Sequence, residues 1–150
     1  MRTALKFKAI GVSALAATAA ISFATPSFAG TGTNCSATYK TGCISLYYNS
    51  EYANGKFSVW DQNIPDLAGY KFGGGSAGSG QAVKNNAASA KFFGTKDTTI
   101  GWNYVKIHFN SNYGGPCDMM YRNHGAPKLI ATYNENASIV FDYETKCHLF

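Results

Sequence analysis

The sequence predicts an all-β protein, a Greek-key sandwich built from two repeated motifs. Three observations predict it. The stretch "LYYNSEYANGKFSVW" (46–60) returns in altered form as "IHFNSNYGGPCDMMY" (107–121). Short runs of β-branched and aromatic residues alternate with clusters of Gly, Asn and Pro. Beyond residue 29 no segment carries a helical period, and "AASAKFF" is too short to count as one.

Residues 1–29 read as an export signal that is cleaved. Arg2, Lys6 and Lys8 give a basic start, 9–24 is apolar and small, and Ser27-Phe28-Ala29 offers a peptidase small residues at its two recognition positions. The apolar stretch is short for a membrane span, and no second one follows. Cleavage after Ala29 leaves 30–150 as one secreted domain of 121 residues. Three of the 13 basic residues leave with the signal, and the 10 that remain face 8 acidic ones, a net charge of +2. These charges are scattered, so no basic patch for nucleic acid is expected, and no membrane partner.

The four cysteines, Cys35, Cys43, Cys117 and Cys147, all lie in the secreted part. An even count after an export signal favours two disulfides. Of the three pairings, Cys35–Cys43 with Cys117–Cys147 is expected, because each bond then closes a loop within one part of the chain. The second would contribute on the order of 3–4 kcal/mol by the entropic account. A zinc site in these cysteines is disfavoured, since no pair has finger-type spacing.

Strands are expected at "CISLYY", "KFSVW", "VKIHF" and "SIVFDY". In each motif copy an aromatic-Asn-Ser-x-Tyr core, 48–52 or 109–113, is followed by glycine, Gly55 or Gly114-Gly115. The pattern suits a hairpin whose glycine takes φ > 0 while the tyrosine ring folds over the backbone; Asn54, before Gly55, also tolerates that region. Each copy continues through a Pro-x-Leu, at Pro65 and Pro127, to an Asn/Ala/Ser segment, "NNAAS" (85–89) and "NENAS" (134–138). The first copy spans about 44–93 and the second about 103–143. The extra run "GGGSAGSG" (73–80) in the first copy reads as a disordered insertion, too flexible to serve as a binding loop.

The aromatic-to-tyrosine-to-glycine pattern, followed by a strand and an Asn/Ser segment, resembles the βγ-crystallin Greek-key motif. With the export signal, Cys35 and Cys43 running into "ISLYYN", "IPDLAGYKF" and a Gly-rich loop leading into "VKNNAASA", the chain is similar over 35–147 to bacterial secreted peptidase inhibitors of the streptomycete metalloproteinase-inhibitor type. That resemblance implies a monomeric Greek-key β-sandwich that inhibits an extracellular peptidase, in particular a metallopeptidase, by reversible loop-in-cleft binding. No stretch matches the family's reactive loop residue by residue. The nearest is "GGPCDMMYR" (114–122), where Pro116, Asp118, Met119 and Met120 are candidate contacts and Cys117 would pin the segment to Cys147. The competing expectation is that the methionines are sheet interior.

The same motif in βγ-crystallins implies calcium. Asn85, Asn86 and Ser89 in the first copy, and Asn134, Glu135 and Ser138 in the second, offer the hard oxygen ligands Ca²⁺ takes, although Ala90 and Ile139 stand where a closing serine would. Mostly neutral ligands make any such site weak, so no cofactor is required. The structural alternative is that these side chains fix a turn. Catalysis finds no support: His108, His124 and His148 lack metal-type spacing, no Gly-x-Ser-x-Gly elbow occurs, and His108 is expected to be exposed or structural. A second function class is a calcium- or glycan-binding or killer-toxin-like module, with Trp60, Trp102 and the tyrosines as stacking rings.

Overall fold

A computed structural model describes residues 31–32, 35, 42–94 and 102–150; the expected leader lies outside them. Among these residues the strands are β1 (Thr31–Gly32), β2 (Cys43–Asn49), β3 (Ala53–Trp60), β4 (Ser89–Phe93), β5 (Tyr104–Asn110), β6 (Gly114–Tyr121), β7 (Gly125–Ala126), β8 (Ser138–Asp142) and β9 (His148–Leu149). A single 3₁₀ turn, Ser111–Tyr113, is the one helical element among the described residues.

The strands form two sheets, β1-β3-β2-β4-β7 and β8-β5-β6-β9. Each is centred on one motif copy: β2, β3 and β4 in the first, β5, β6 and β8 in the second. Each copy also lends a short piece to the other sheet. Ile64 of the first copy bridges Ile139 on β8, and β7 of the second pairs with β4. This exchange is the Greek-key crossover, and Pro65 and Pro127 follow directly on Ile64 and β7, outside the strands, where a missing N–H costs no ladder hydrogen bond.

The core lies between the sheets. Ile44, Leu46, Val59, Phe92, Ile107, Met120 and Ile139 are fully buried, and Phe92 meets Phe141 edge to face at 5.9 Å. Burying a side chain of the size of Phe92 contributes roughly 2–3 kcal/mol. Both expected disulfides are formed, Cys35–Cys43 and Cys117–Cys147. The second ties β6 to Cys147, just before the parallel strand β9, and so fastens that segment.

Two expectations need correction. The segment 114–122 is not a loop: most of it is β6, paired with β5 on one side and β9 on the other. Met119 and Met120 are 1% and 0% exposed; Met120 belongs to the core cluster, and β6 is an inner strand of its sheet, paired on both sides. The run 73–80 is not disordered. Gly55 N–H donates to Ala77 O at 2.8 Å, Gly80 N–H to Phe72 O at 2.7 Å, and Lys56 and Gly73 exchange both backbone bonds at 3.0 and 2.9 Å. Four of its glycines, Gly74, Gly75, Gly78 and Gly80, have positive φ, so the composition that suggested flexibility supplies the tight turns instead.

Candidate functional site

The two hairpins share a device. In the first, Glu51 and Tyr52 take φ of 59° and 59°; in the second, Asn112 and Tyr113 take 58° and 62°. A left-handed tyrosine costs on the order of 1–2 kcal/mol. Each corner is held by a buried serine from the Asn/Ala/Ser segment. Ser89 Oγ donates to Asn49 O at 2.6 Å and accepts from Tyr52 N–H at 3.1 Å. Ser138 Oγ does the same with Asn110 O at 2.7 Å and Tyr113 N–H at 3.0 Å. Gly115 takes φ of 76° as the hairpin reading requires, but in the first copy Asn54 does so, at 68°, while Gly55 is needed for space. A Cβ on Gly55 would lie 3.0 Å from both Phe72 Cβ and the Gly78 carbonyl carbon.

The asparagine segments pair with each other across the molecule. Asn85 N–H donates to Asn136 O and Asn134 N–H to Ala87 O, at 2.8 and 2.9 Å. Asn136, not singled out by the sequence, is the hub: it is fully buried, its Oδ1 accepts from Ala87 N–H and its Nδ2 donates to Val83 O. Asn86 donates to Lys84 O. Asn85 and Glu135 are exposed and line a cleft with Asn110, Ser111 and Lys84. Lys84 Nζ reaches Asp66 at 2.8 Å and Ser111 at 3.0 Å, and its hydrogen bond holds the Asp66 carboxyl below the ordinary carboxylate value.

Of the four candidate contacts in 114–122, Pro116 is exposed, while Met119 and Met120 are core. Asp118 is fully buried and occupied. Its carboxylate accepts from Ile130 N–H at 3.1 Å, Ala131 N–H at 3.0 Å, Thr132 N–H at 2.9 Å and Thr132 Oγ1 at 2.7 Å. A run of backbone N–H groups around one anion is a nest, and here it shapes the 129–133 loop.

The exposed, ordered feature is loop 73–80. It lies over Tyr48, so closely that a Cβ on Gly78 would sit 2.2 Å from Tyr48 Cγ. Ser76, Ala77 and Ser79 face solvent. Tyr48 in turn packs edge-on against Phe72 at 5.8 Å.

A cavity of about 450 Å³ opens at the other sheet, lined by Lys106, His108, Tyr113, Cys117, Asp142 and Cys147 among others. His108 is 8% exposed rather than open to solvent, and nothing among the described residues hydrogen-bonds either ring nitrogen. Leaving such groups unmet typically costs 1–3 kcal/mol. Burial pushes the imidazole below its ordinary 6.5, the Lys106 ammonium adds to this, and Asp142 opposes it. Lys106 pairs with Asp142. That hydrogen bond holds the Asp142 carboxyl low against its partial burial, with the N–H groups of Tyr143 and Glu144 assisting.

No family model and no curated protein matches the sequence. Solved structures do. A βγ-crystallin domain from work on the evolution of the eye-lens fold superposes with a TM-score of 0.53 at 13% identity, over 77% of this chain and 99% of that one. A βγ-crystallin from Ciona intestinalis (TM-score 0.47, 12% identity, 67% and 99% covered) and a βγ-crystallin domain from Flavobacterium johnsoniae (0.43, 18%, 68% and 98%) are also similar. With two latched hairpins, two sheets and a strand exchange between them, the chain has a βγ-crystallin-like fold.

Proposed function

We propose that this is a secreted, non-catalytic inhibitor of an extracellular peptidase, in particular a metallopeptidase, and that loop 73–80 is the part that enters the target. The observation that supports it is the order of that loop. A segment tied to β3 by backbone hydrogen bonds and seated on Tyr48 has lost its conformational freedom before binding, so association costs less. Its small side chains let backbone N–H and C=O groups approach a cleft closely. Its consecutive turns offer no extended segment for a protease to cleave, which suits reversible occlusion rather than substrate mimicry.

The test is a titration of a thermolysin-like metallopeptidase and of subtilisin with the purified protein. We expect reversible, concentration-dependent loss of metallopeptidase activity, weakened at least tenfold by Ala77→Asp at the exposed loop. Full activity of both enzymes at micromolar protein would sink the proposal, and binding to chitin or fungal cells in that case would favour a glycan-binding module.

A weak calcium site is a second reading, favoured by one observation: Asn85, Asn110, Ser111 and Glu135 line one cleft. The two latch serines already give and accept hydrogen bonds, and the Lys84 ammonium lines the same cleft, so affinity in the millimolar range is expected. A melting point raised by Ca²⁺ over chelator supports this reading; an unchanged one removes it.

A further inference from the structure

The two motif copies differ at one cross-strand pair. Aligning Tyr52 on Tyr113 sets Tyr47 against His108 and Lys56 against Cys117. In each copy these two residues face one another in register, Tyr47 with Lys56 on β2 and β3, His108 with Cys117 on β5 and β6. Tyr47 packs edge-on with Tyr52 at 5.8 Å, and His108 edge-on with Tyr113 at 6.3 Å. His108 therefore fills the tyrosine's place beside the corner, but brings two ring nitrogens into the interior where nothing among the described residues meets them. The disulfide carries Cys147 to the same spot, and one ligand atom from each of His108, Cys117 and Cys147 lies within 4.8 Å of the others.

We propose that His108, Cys117 and Cys147 form a zinc site that opens when the Cys117–Cys147 disulfide is reduced, so that bond and metal are alternative fastenings of the same strand end. A dithiol supplies two electrons and two protons. The S–S bond breaks, two cysteine thiols form, and the dithiol leaves as its own disulfide. Zn²⁺ then displaces both thiol protons to solvent and takes two thiolates and one imidazole nitrogen. Tetrahedral ligation at a Zn–S distance of about 2.3 Å places the sulfurs about 3.7 Å apart, so the two sulfurs, bonded in the disulfide, move apart by side-chain rotation on reduction. The Cα atoms, 5.0 Å apart, can stay where the strands hold them. Two thiolates balance the ion's charge beside the paired Lys106 and Asp142. The cavity gives the ion a way in and leaves the fourth position to water. The spacing of the cysteines along the chain does not announce this site, because its ligands meet through strand pairing.

The test uses the full secreted chain, oxidised or reduced with a phosphine, with Zn²⁺ or Co²⁺ as probe. The reduced protein is expected to bind cobalt with thiolate charge-transfer bands and to keep its near-ultraviolet circular dichroism when zinc is present. Zinc should protect Cys117 and Cys147 from iodoacetamide at least tenfold relative to Cys35 and Cys43, read by peptide mass spectrometry. His108→Tyr, which restores the residue of the first copy, should melt normally when oxidised yet lose that protection when reduced. The proposal fails if the oxidised protein binds the metal equally well, if Cys117 and Cys147 are alkylated as fast with zinc as without, if His108→Tyr is protected like the parent, or if the reduced chain stays unfolded in zinc.

Discussion

Asp118 shows how much one residue can carry here. Its carboxylate is fully buried, and four donors from 130–132 surround it. Asn at this position keeps the shape but turns an N–H₂ toward backbone N–H groups, losing acceptors that cannot be replaced. Asp118→Asn should cost roughly 2–4 kcal/mol and lower the melting point by on the order of 10 °C, measured by calorimetry; a shift under about 2 °C would mean the nest is not structural. Little of this was legible. As part of "GGPCDMMYR" Asp118 reads as a candidate contact, and nothing local to "CDMM" distinguishes a carboxylate facing solvent from one facing three amides twelve to fourteen residues away. The repeat held the clue: Asp118 aligns with Phe57, a core position.

Among the elements, the strands were readable and the connections were not. Alternating β-branched and aromatic residues marked β2, β3, β5 and β8, whereas β6 was masked by its Gly-Gly-Pro start. Loop 73–80 misled because glycine content measures permitted backbone freedom; its hydrogen bonds to β3 come from tertiary pairing that a local reading does not contain. Gly78→Ala should destabilise the protein by about 2 kcal/mol, since it adds a positive-φ Cβ inside the Tyr48 ring's space. The same variant should weaken peptidase inhibition if the loop is the binding element, and a chemical-denaturation curve read beside an inhibition assay separates the two effects. The tie between β5 and β8 has a pH signature. Because Lys106 holds Asp142 below its ordinary value of 3.8, the ion pair's contribution is complete above that pH and is lost as pH falls through the lower folded value. Melting points taken from pH 6 down to pH 2 should fall on the acid side, and Lys106→Met should make that fall shallower. Equal slopes would show that the pair adds nothing to stability.

For the molecule as a whole, the repeat was the decisive signal, since a duplicated motif with matched serines predicts two sheets and a shared core. What periodicity could not reveal is that each copy completes the other's sheet. Fragments 30–94 and 102–150 should each be largely unfolded alone and should regain native near-ultraviolet circular dichroism when mixed; two independently folded halves would contradict the exchange.

That exchange also bears on timing. Most of the first sheet is made by residue 93, yet β4 keeps an open edge until Gly125 and Ala126 have followed, and the partner that closes β8 around Ile64 arrives from the opposite direction in sequence. A ribosome has therefore passed residue 126 before either layer is finished, which leaves a long interval in which the polypeptide remains threadable.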